Sequence, residues 1–417
     1  MIKKIISSLF DKKGYTIIQK GSLKTIAGDE YPLTQEMIPR KEHVFSHFMV
    51  HGYPDVPFRS YEVDSTGEDV LIAERLLISY HKATKDEEDV IKKPEKDVWE
   101  VLREVKHKEF IQLLHDNDPK ALAGHLCNMS KYDITFGLSQ GSYDYNQNTT
   151  NDQYRRTSSA FFKDKLVSLG EALGCLPMEC PELGKWGENL YINTDELIEK
   201  IENILGVDIT PPSISGGLFG ISTKKGILHF RDINSIYTAW RIRELTKDIN
   251  NPAVCEIGAG TGRTAYYCIK MGINNFTIID LPYVSILSGY YLLKSYPDKK
   301  IVLYGEKADE KSDSIKVYPY WCFNNIPDKY FDLTFNQDSF PEIEHDVVIA
   351  YLKQIKRNTK KYFLSINQES RSPKAKFGTV QLVVSELIKE SADSYERVYR
   401  FPYWIREGYV EELYNII

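Results

Sequence analysis

The stretch that decides the fold is Val254-Cys255-Glu256-Ile257-Gly258-Ala259-Gly260-Thr261-Gly262, in which an acid on an apolar segment precedes a turn of alternating glycines. A second apolar segment, Ile278-Ile279-Asp280-Leu281, follows and ends on another acid. A glycine turn at the carboxyl end of a strand lets a ligand approach the backbone, and the following helix N-terminus favours anionic groups. Together, these features predict a site for a nucleotide-like cofactor at the ends of two neighbouring strands.

The spacing of the glycines distinguishes between cofactors. Dinucleotide-binding turns follow the pattern G-x-G-x-x-G, whereas here the third glycine, Gly262, comes one position early and Arg263 takes its place. The pattern therefore favours S-adenosylmethionine (SAM), with S-adenosylhomocysteine (SAH) as product, over NAD. We expect Asp280 to accept hydrogen bonds from ribose hydroxyls and Glu256 to lie near the amino end of the methionine. The predicted cofactor-binding residues are Glu256, Gly258, Ala259, Gly260, Gly262, Asp280, Leu281 and Asn336. Alternatively, Glu256 and Asp280 cap neighbouring helices.

From about residue 231 onward, apolar segments alternate with amphipathic ones, which predicts right-handed crossovers and a parallel sheet. The predicted strands are Ala253–Ile257, Phe276–Leu281, Ile301–Tyr304, Tyr330–Phe335 and Tyr362–Ile366. The predicted helices are Thr264–Met271, Val284–Ser295 and Val347–Ile355. In the tail we expect a helix over Val380–Lys389 and an antiparallel pair, Arg397–Trp404 and Tyr409–Tyr414, at the sheet edge. The fold class is therefore α/β, a Rossmann-like doubly wound sheet with an antiparallel C-terminal strand.

Residues 1–230 are predicted to form a mainly helical region that covers the acceptor or supports oligomerisation. Apolar residues recur at helical spacing over Asp97–His115 and Phe161–Leu173, and Thr194 is placed to cap a further helix. Breakers concentrate between Asp208 and Gly226, so we place the main boundary near residue 230, with residues 231–417 as the second domain.

Composition limits the functional classes. The net charge of -6 and pI near 5.9 give no broad basic field for a nucleic acid. No stretch approaches the roughly 20 apolar residues of a membrane span, and the short apolar N-terminus meets Asp11 too early for a signal peptide. The six cysteines form no C-x-x-C pair, which favours reduced thiols in a cytoplasmic protein. Homo-oligomer formation is left open.

The candidate catalytic residues lie in the loop after the fourth predicted strand, Asn336 to His345, because substrates lie over the carboxyl ends of such strands. An alcohol that accepts a methyl group must lose its proton to a nearby base. We expect Glu342 or His345 to be this base, and Asp338 to be a base, an orienting residue or a cation ligand. Alternatively, Asp338 caps the next helix, while Glu342 and His345 occupy its first turn.

Several motifs in combination resemble the bacterial sugar O-methyltransferases found among surface-polysaccharide genes, which are class I SAM-dependent methyltransferases. They are Glu256–Gly262, Ile279–Pro282, Asn336–Glu342 and Lys361–Asn367, and in the helical half Tyr132–Gly141 and Leu176–Glu182. The likeness covers about residues 110 to 417. It implies SAM as donor and a sugar hydroxyl, on a nucleotide sugar or a growing glycan, as acceptor. No general base carries over, and the acid cluster that holds a divalent cation in some sugar methyltransferases is not evident around Asn367, so no metal is predicted.

Other candidates and functions remain open. His43, His47 and His51 share a helical face, but Gly52-Tyr53-Pro54 ends it, which argues against a metal site. The helix before the first strand carries residues that could contact the cofactor carboxylate, and a glycine-rich loop carries two that could contact the acceptor. These are Arg231, Asp232, Tyr237 and Arg241, and then Gln140 and Tyr143. The alternative functions are methylation of a small metabolite or amine, an NAD-dependent oxidoreductase, and a binding subunit without catalysis.

Overall fold

The structure, a computed structural model, describes residues 56–90, 98–139, 141–180, 182, 187–307, 313–370, 381–391 and 394–417. The candidate residues His43, His47, His51 and Gln140 lie outside this part of the chain.

The described residues form helices followed by alternating strands and helices. The α-helices are α1 (Gly67–Val90), α2 (Val98–Val105), α3 (Lys108–Asp116), α4 (Pro119–Leu126), α5 (Gly141–Thr150), α6 (Asp152–Ala172), α7 (Thr194–Leu205), α8 (Phe230–Thr246), α9 (Arg263–Lys270), α10 (Pro282–Ser295), α11 (His345–Asn358) and α12 (Val384–Glu390). The strands are β1 (Phe58–Arg59), β2 (Gly220–Ser222), β3 (Ile227–Leu228), β4 (Ala253–Ile257), β5 (Asn275–Asp280), β6 (Ile301–Leu303), β7 (Ile315–Pro319), β8 (Phe331–Gln337), β9 (Thr359–Gln368), β10 (Tyr395–Pro402) and β11 (Tyr409–Ile416).

The main sheet has the strand order β10-β11-β9-β8-β4-β5-β7-β6. Strands β4 to β9 pair in parallel, whereas β11 pairs antiparallel with both β9 and β10. The first strand of this sheet in chain order, β4, lies near its centre. Strand β5 lies on one side of β4, and β8, which comes later in the chain, lies on the other side. The order therefore reverses between β4 and β8, where such sheets bind ligands. The predicted doubly wound sheet with its antiparallel C-terminal strand is confirmed.

Strand β7 is a difference from the sequence prediction, which assigned no strand to Ile315–Pro319. It lies between β5 and β6 and pairs in parallel with both. The segment Ile-Lys-Val-Tyr-Pro alternates apolar and polar residues, and the side chain of Lys316 is buried despite its charge. The sequence prediction placed no helix between Ile301–Tyr304 and Tyr330–Phe335, so the expected strand–helix alternation gave no signal for a further strand there.

Two helix boundaries in the N-terminal half also differ from the prediction. Asp97–His115 does not form one helix: α2 ends at Val105, and buried His107 lies between α2 and α3. Helix α7 is capped by Asn193, whose side chain accepts hydrogen bonds from the next turn, whereas Thr194 is its first helical residue. Both residue types cap well, so the sequence left a one-residue ambiguity.

Alternate residues of the central strands pack on opposite faces of the sheet, as the period of two requires. Val254 packs with the side chains of α9 and α10, whereas Cys255 packs with those of α11 and α12. Leu76 of α1 belongs to the first of these clusters, so the helical half and the sheet share one apolar core there. The domain boundary at residue 230 stays a prediction. None of the helices in the described ranges is long and apolar enough to cross a membrane.

Candidate cofactor and acceptor site

The glycine turn lies at the carboxyl end of β4, where the strand order reverses. Gly258, Gly260 and Gly262 have φ values of 76°, 57° and 76°, a conformation that costs other residues free energy. A Cβ atom on Gly258 would lie 2.2 Å from the Oγ atom of Ser339. Glycine is therefore required at position 258 both for its backbone conformation and for the close approach of the neighbouring loop. Gly262 is the N-cap of α9 and faces Ser288 rather than a cavity.

Asp280 ends β5, next to the glycine turn. Its carboxylate accepts hydrogen bonds from the backbone N–H groups of Gly260, at 2.8 Å, and Leu281, at 2.7 Å. Burial nevertheless raises the pKa of this carboxyl group to about 7. Each carboxylate oxygen retains lone-pair capacity, and Asp280 lines a cavity. Asp280 can therefore accept further hydrogen bonds from a pair of hydroxyl groups there.

The cavity that Asp280 lines is the larger of two adjoining cavities. Its volume is about 540 Å³, within the range of small-molecule sites. Its walls are mostly apolar and aromatic, with Asp280 as a buried acid at one side. The apolar and aromatic lining includes Ile257, Ile279, Leu281, Tyr283, Tyr320, Ile343, Val347 and Tyr351. Trp99 and Leu138 of the helical half complete the cavity. A flat, largely apolar group attached to a diol fits this combination.

A smaller cavity of about 90 Å³ adjoins the larger one. The two share five lining residues: Trp99, Leu138, Gly258, Gly260 and Ser339. The smaller cavity is polar, and Glu256, with only 3% of its surface exposed, is one of its lining residues. The Oε2 atom of Glu256 has no hydrogen-bond partner in the described ranges. Burial and the nearby charge of Asp280 raise the pKa of this carboxyl group to about 8. A cation in the cavity would stabilise the ionised form.

Asp338 lines the same small cavity, and its carboxylate is already hydrogen-bonded to other side chains. Its carboxylate accepts hydrogen bonds from Arg231 and Arg406, both at 2.5 Å, and from the hydroxyl group of Tyr409. The two guanidinium groups outweigh burial and hold the pKa of Asp338 well below its usual range. Asp338 also has a positive φ of 72°, a strained conformation for a residue with a side chain. The geometry suits an ionised residue that positions the arginines.

Glu342 and His345 lie in different environments. Glu342 is half-buried and lines the small cavity, and within the described residues its carboxylate has no hydrogen-bond or ion-pair partner. Burial and then the charge of Asp338 raise the pKa of Glu342 to about 8. His345 is exposed, lines neither cavity, and contacts Asp346 at 2.9 Å and Glu390 at 3.1 Å. Of the three residues predicted as possible bases, the small cavity therefore contains Glu342 and Asp338 but not His345.

Asn336 supports the site through hydrogen bonds to two of its segments. It is fully buried, and its Nδ2 atom donates to the carbonyl of Ile257 at 2.9 Å and to the Oγ atom of Ser339 at 2.5 Å. These bonds join the end of β4 to the loop after β8, whereas Asn336 lines neither cavity. Ala259 and Leu281 do line cavities, the smaller and the larger one respectively.

Among the other sequence candidates on α8, only Arg231 reaches the cavity. Asp232 binds Arg263 at 2.6 Å, and Tyr237 and Arg241 both bind Glu411. Tyr143 lines neither cavity. Across the part of the chain that the structure describes, no group of three or more His, Cys, Asp or Glu residues could hold a metal ion.

Trp99, Leu138 and Asn234 are among the cavity residues that the sequence did not predict. Trp99 and Leu138 come from the helical half, and only tertiary folding brings them over the glycine turn. Asn234 could have been noticed as an amide within a predicted helix, where it is unfavourable unless its side chain serves another purpose.

Comparisons with known proteins give similarities of fold only. A scan against protein-family models and a search of curated proteins gave no match. Among solved structures, a SAM-dependent methyltransferase from Aquifex aeolicus matches at 15% identity, with 44% of this chain and 98% of that chain covered and a TM-score of 0.29. The glycopeptide N-methyltransferase MtfA, in complex with SAH, matches at 13% identity, with 44% and 90% covered and a TM-score of 0.31. A protein from Pyrococcus horikoshii OT3 matches at 14% identity, with 45% and 92% covered and a TM-score of 0.33.

These scores are low, so the strand order carries the fold assignment. A parallel sheet whose order reverses next to its first strand, closed at one edge by an antiparallel pair, is the class I methyltransferase fold. The sequence expectation of that fold is confirmed.

Proposed function

We propose that this protein is a SAM-dependent O-methyltransferase that methylates a sugar hydroxyl of a bacterial surface glycan or of its nucleotide-sugar precursor. One observation carries the methyltransferase part of the proposal: two buried acids, Glu256 and Asp280, flank the glycine turn and line two adjoining cavities. The sugar acceptor is supported by the sequence resemblance to sugar O-methyltransferases. Cytoplasmic location and homo-oligomer formation stay predictions.

The two cavities fit the two halves of SAM. The larger, aromatic cavity suits the adenine ring, with Asp280 accepting hydrogen bonds from the ribose hydroxyls. The smaller, polar cavity suits the amino-acid end, where the carboxylate of Glu256 would bind the ammonium group. NAD fits less well, because its pyrophosphate carries no cationic group that would stabilise the ionised form of Glu256. When bound, SAM supplies a methyl group activated by the sulfonium.

Glu342 is the residue we propose to accept the proton of the acceptor hydroxyl. It lies in the cavity that suits the amino-acid end of SAM, and its carboxylate has no partner there within the described residues. Its pKa of about 8 makes it a stronger base than an ordinary carboxylate once it is ionised. Asp338 holds Arg231 and Arg406 beside it, so we propose a positioning role for Asp338. His345 is exposed and outside the cavities, which makes it the weaker candidate.

Trp99 is the residue we propose to stack on the sugar ring. It lines both cavities from the helical half, and tryptophan offers a large apolar face that suits the C–H surface of a sugar.

The test is transfer of a labelled methyl group from SAM to a panel of nucleotide sugars, free glycans, amines and small hydroxylated metabolites. We expect incorporation into a nucleotide sugar or glycan as an alkali-stable methyl ether, and less incorporation by Asp280→Ala at the same subsaturating SAM concentration. Labelling of amines or non-sugar metabolites alone would reject the sugar acceptor. SAH binding without turnover on any acceptor would instead indicate a catalytically silent subunit.

A further inference from the structure

Asn234 is a buried polar residue whose side chain has no hydrogen-bond partner among the described residues. It lies within α8, has 3% of its surface exposed, and lines the small cavity next to the glycine turn. Neither its Nδ2 donor nor its Oδ1 acceptor makes a hydrogen bond within the part of the chain that the structure describes. A buried amide without partners destabilises a protein, and native structures contain few of them. A ligand group that pairs with both atoms would remove this cost.

Hydrogen bonds to the backbone of Asn234 hold this residue in place. Its carbonyl oxygen accepts hydrogen bonds from the hydroxyl of Thr238, at 3.1 Å, and from that of Tyr403, at 3.3 Å. The first contact lies within α8, and the second joins α8 to the C-terminal part of the chain. The amide is thus held at the cavity wall by a rigid helix, which is the arrangement that preorganises a binding group.

The other unpartnered atoms around the small cavity define the chemistry that fits. The Oε2 atom of Glu256 can accept a hydrogen bond, and the Nε atoms of Arg231 and Arg263 can donate one. Asn234 can do both. A group that satisfies all of them must carry a cationic donor and an anionic acceptor a few bonds apart. An α-ammonium group with its carboxylate meets this requirement, whereas a phosphate group has no cationic donor for Glu256.

We propose that Asn234 binds the α-amino-carboxylate end of the cofactor, with Oδ1 accepting from the ammonium group and Nδ2 donating to the carboxylate. This inference rests on the proposed function and deepens it, because it assigns a residue that selects for the amino-acid half of the ligand. Asn234 is thereby a specificity residue, separate from the glycine turn and Asp280, which recognise the nucleoside half.

The experiment compares two probes, SAH and 5′-methylthioadenosine, which retains the nucleoside but lacks the amino and carboxylate groups. Both are titrated into wild type, Asn234→Leu and Asn234→Asp. In Asn234→Leu we expect SAH to bind about tenfold or more weakly, because two hydrogen bonds to charged groups are lost, while the affinity for 5′-methylthioadenosine changes by less than about twofold. Asn234→Asp should also weaken SAH, because its charge repels the carboxylate. The ligand-free melting temperature of Asn234→Leu should be equal to or above that of wild type, because an unpaired amide is removed.

Thr246→Val is the matched control: it is a buried polar-to-apolar exchange at the far end of α8, where the hydroxyl bonds to the carbonyl of Ile242. It should leave the ratio of the two affinities unchanged. Unchanged SAH binding in Asn234→Leu, or an equal loss for both probes, would overturn the inference while the proposed function stands. Wild type that binds 5′-methylthioadenosine as tightly as SAH would do the same. No SAH binding to wild type would remove the proposed function and this inference together.

Discussion

Cofactor binding should release protons, because the empty site holds Glu256 as a neutral acid. With a pKa of about 8, the carboxyl group is about nine-tenths protonated at pH 7. The ammonium group of SAM or SAH stabilises the ionised form and lowers this pKa toward or below the ordinary value. Binding at pH 7 therefore releases about 0.9 proton from Glu256. Asp280, with a pKa of about 7, can add up to about half a proton if the ribose hydroxyls stabilise its carboxylate.

The same linkage sets the sign of the pH dependence. Because binding requires the ionised form of Glu256, affinity should rise with pH, by about fivefold between pH 7 and pH 8 for one group with a pKa of about 8. The assay is isothermal titration of SAH in buffers of different ionisation enthalpy, where the slope of observed enthalpy gives the number of protons released. Glu256→Gln should lose most of that slope and the steep pH dependence. A wild-type binding enthalpy independent of buffer, together with pH-independent affinity, would refute this account of Glu256.

Three further predictions concern other residues of the site. Glu342→Gln should lower turnover by about a hundredfold or more, while its cofactor affinity stays within about twofold of wild type. The rise in kcat/KM through a pKa of about 8 should also disappear from its pH profile. Unaltered turnover would reject Glu342 as the base. Asp280→Ala should weaken SAH by about tenfold or more, measured by the same titration, because the ribose loses a charged acceptor; wild-type affinity would exclude the ribose contact. Gly258→Ala should destabilise the fold by more than the roughly 1–2 kcal/mol of left-handed strain, because the added Cβ would clash with the Oγ atom of Ser339. The matched control in thermal melts is Gly174→Ala, where φ is 75° and no described atom lies within 4 Å of the added Cβ. Equal losses of stability in the two variants would show that the clash is relieved at no cost.

The part of the fold that the sequence predicts well is the part with local signals. β4, β5 and the turn between them follow from apolar runs bounded by glycine and acid, and these features also indicate the cofactor site. The sequence did not predict β7, because its segment carries a lysine that the structure buries and because no helix was predicted before it. A short strand of this kind is determined by its neighbours in the sheet rather than by its own residues.

The roles of the candidate residues depended on contacts that no local pattern reveals. Asp338 could be read from the sequence as a base, an orienting residue or a cation ligand. The choice depends on Arg231 and Arg406, which lie 107 and 68 residues away in the chain. Likewise, Trp99 reaches the cavity only through the packing of the helical half.

The central claim is that the two cavities beside the glycine turn bind SAM, and the most direct measurement is calorimetric titration of the purified full-length protein with SAH and, separately, with NAD. We predict saturable one-to-one binding of SAH and no measurable binding of NAD. Saturable NAD binding in the absence of SAH binding would contradict the claim and indicate a dinucleotide enzyme.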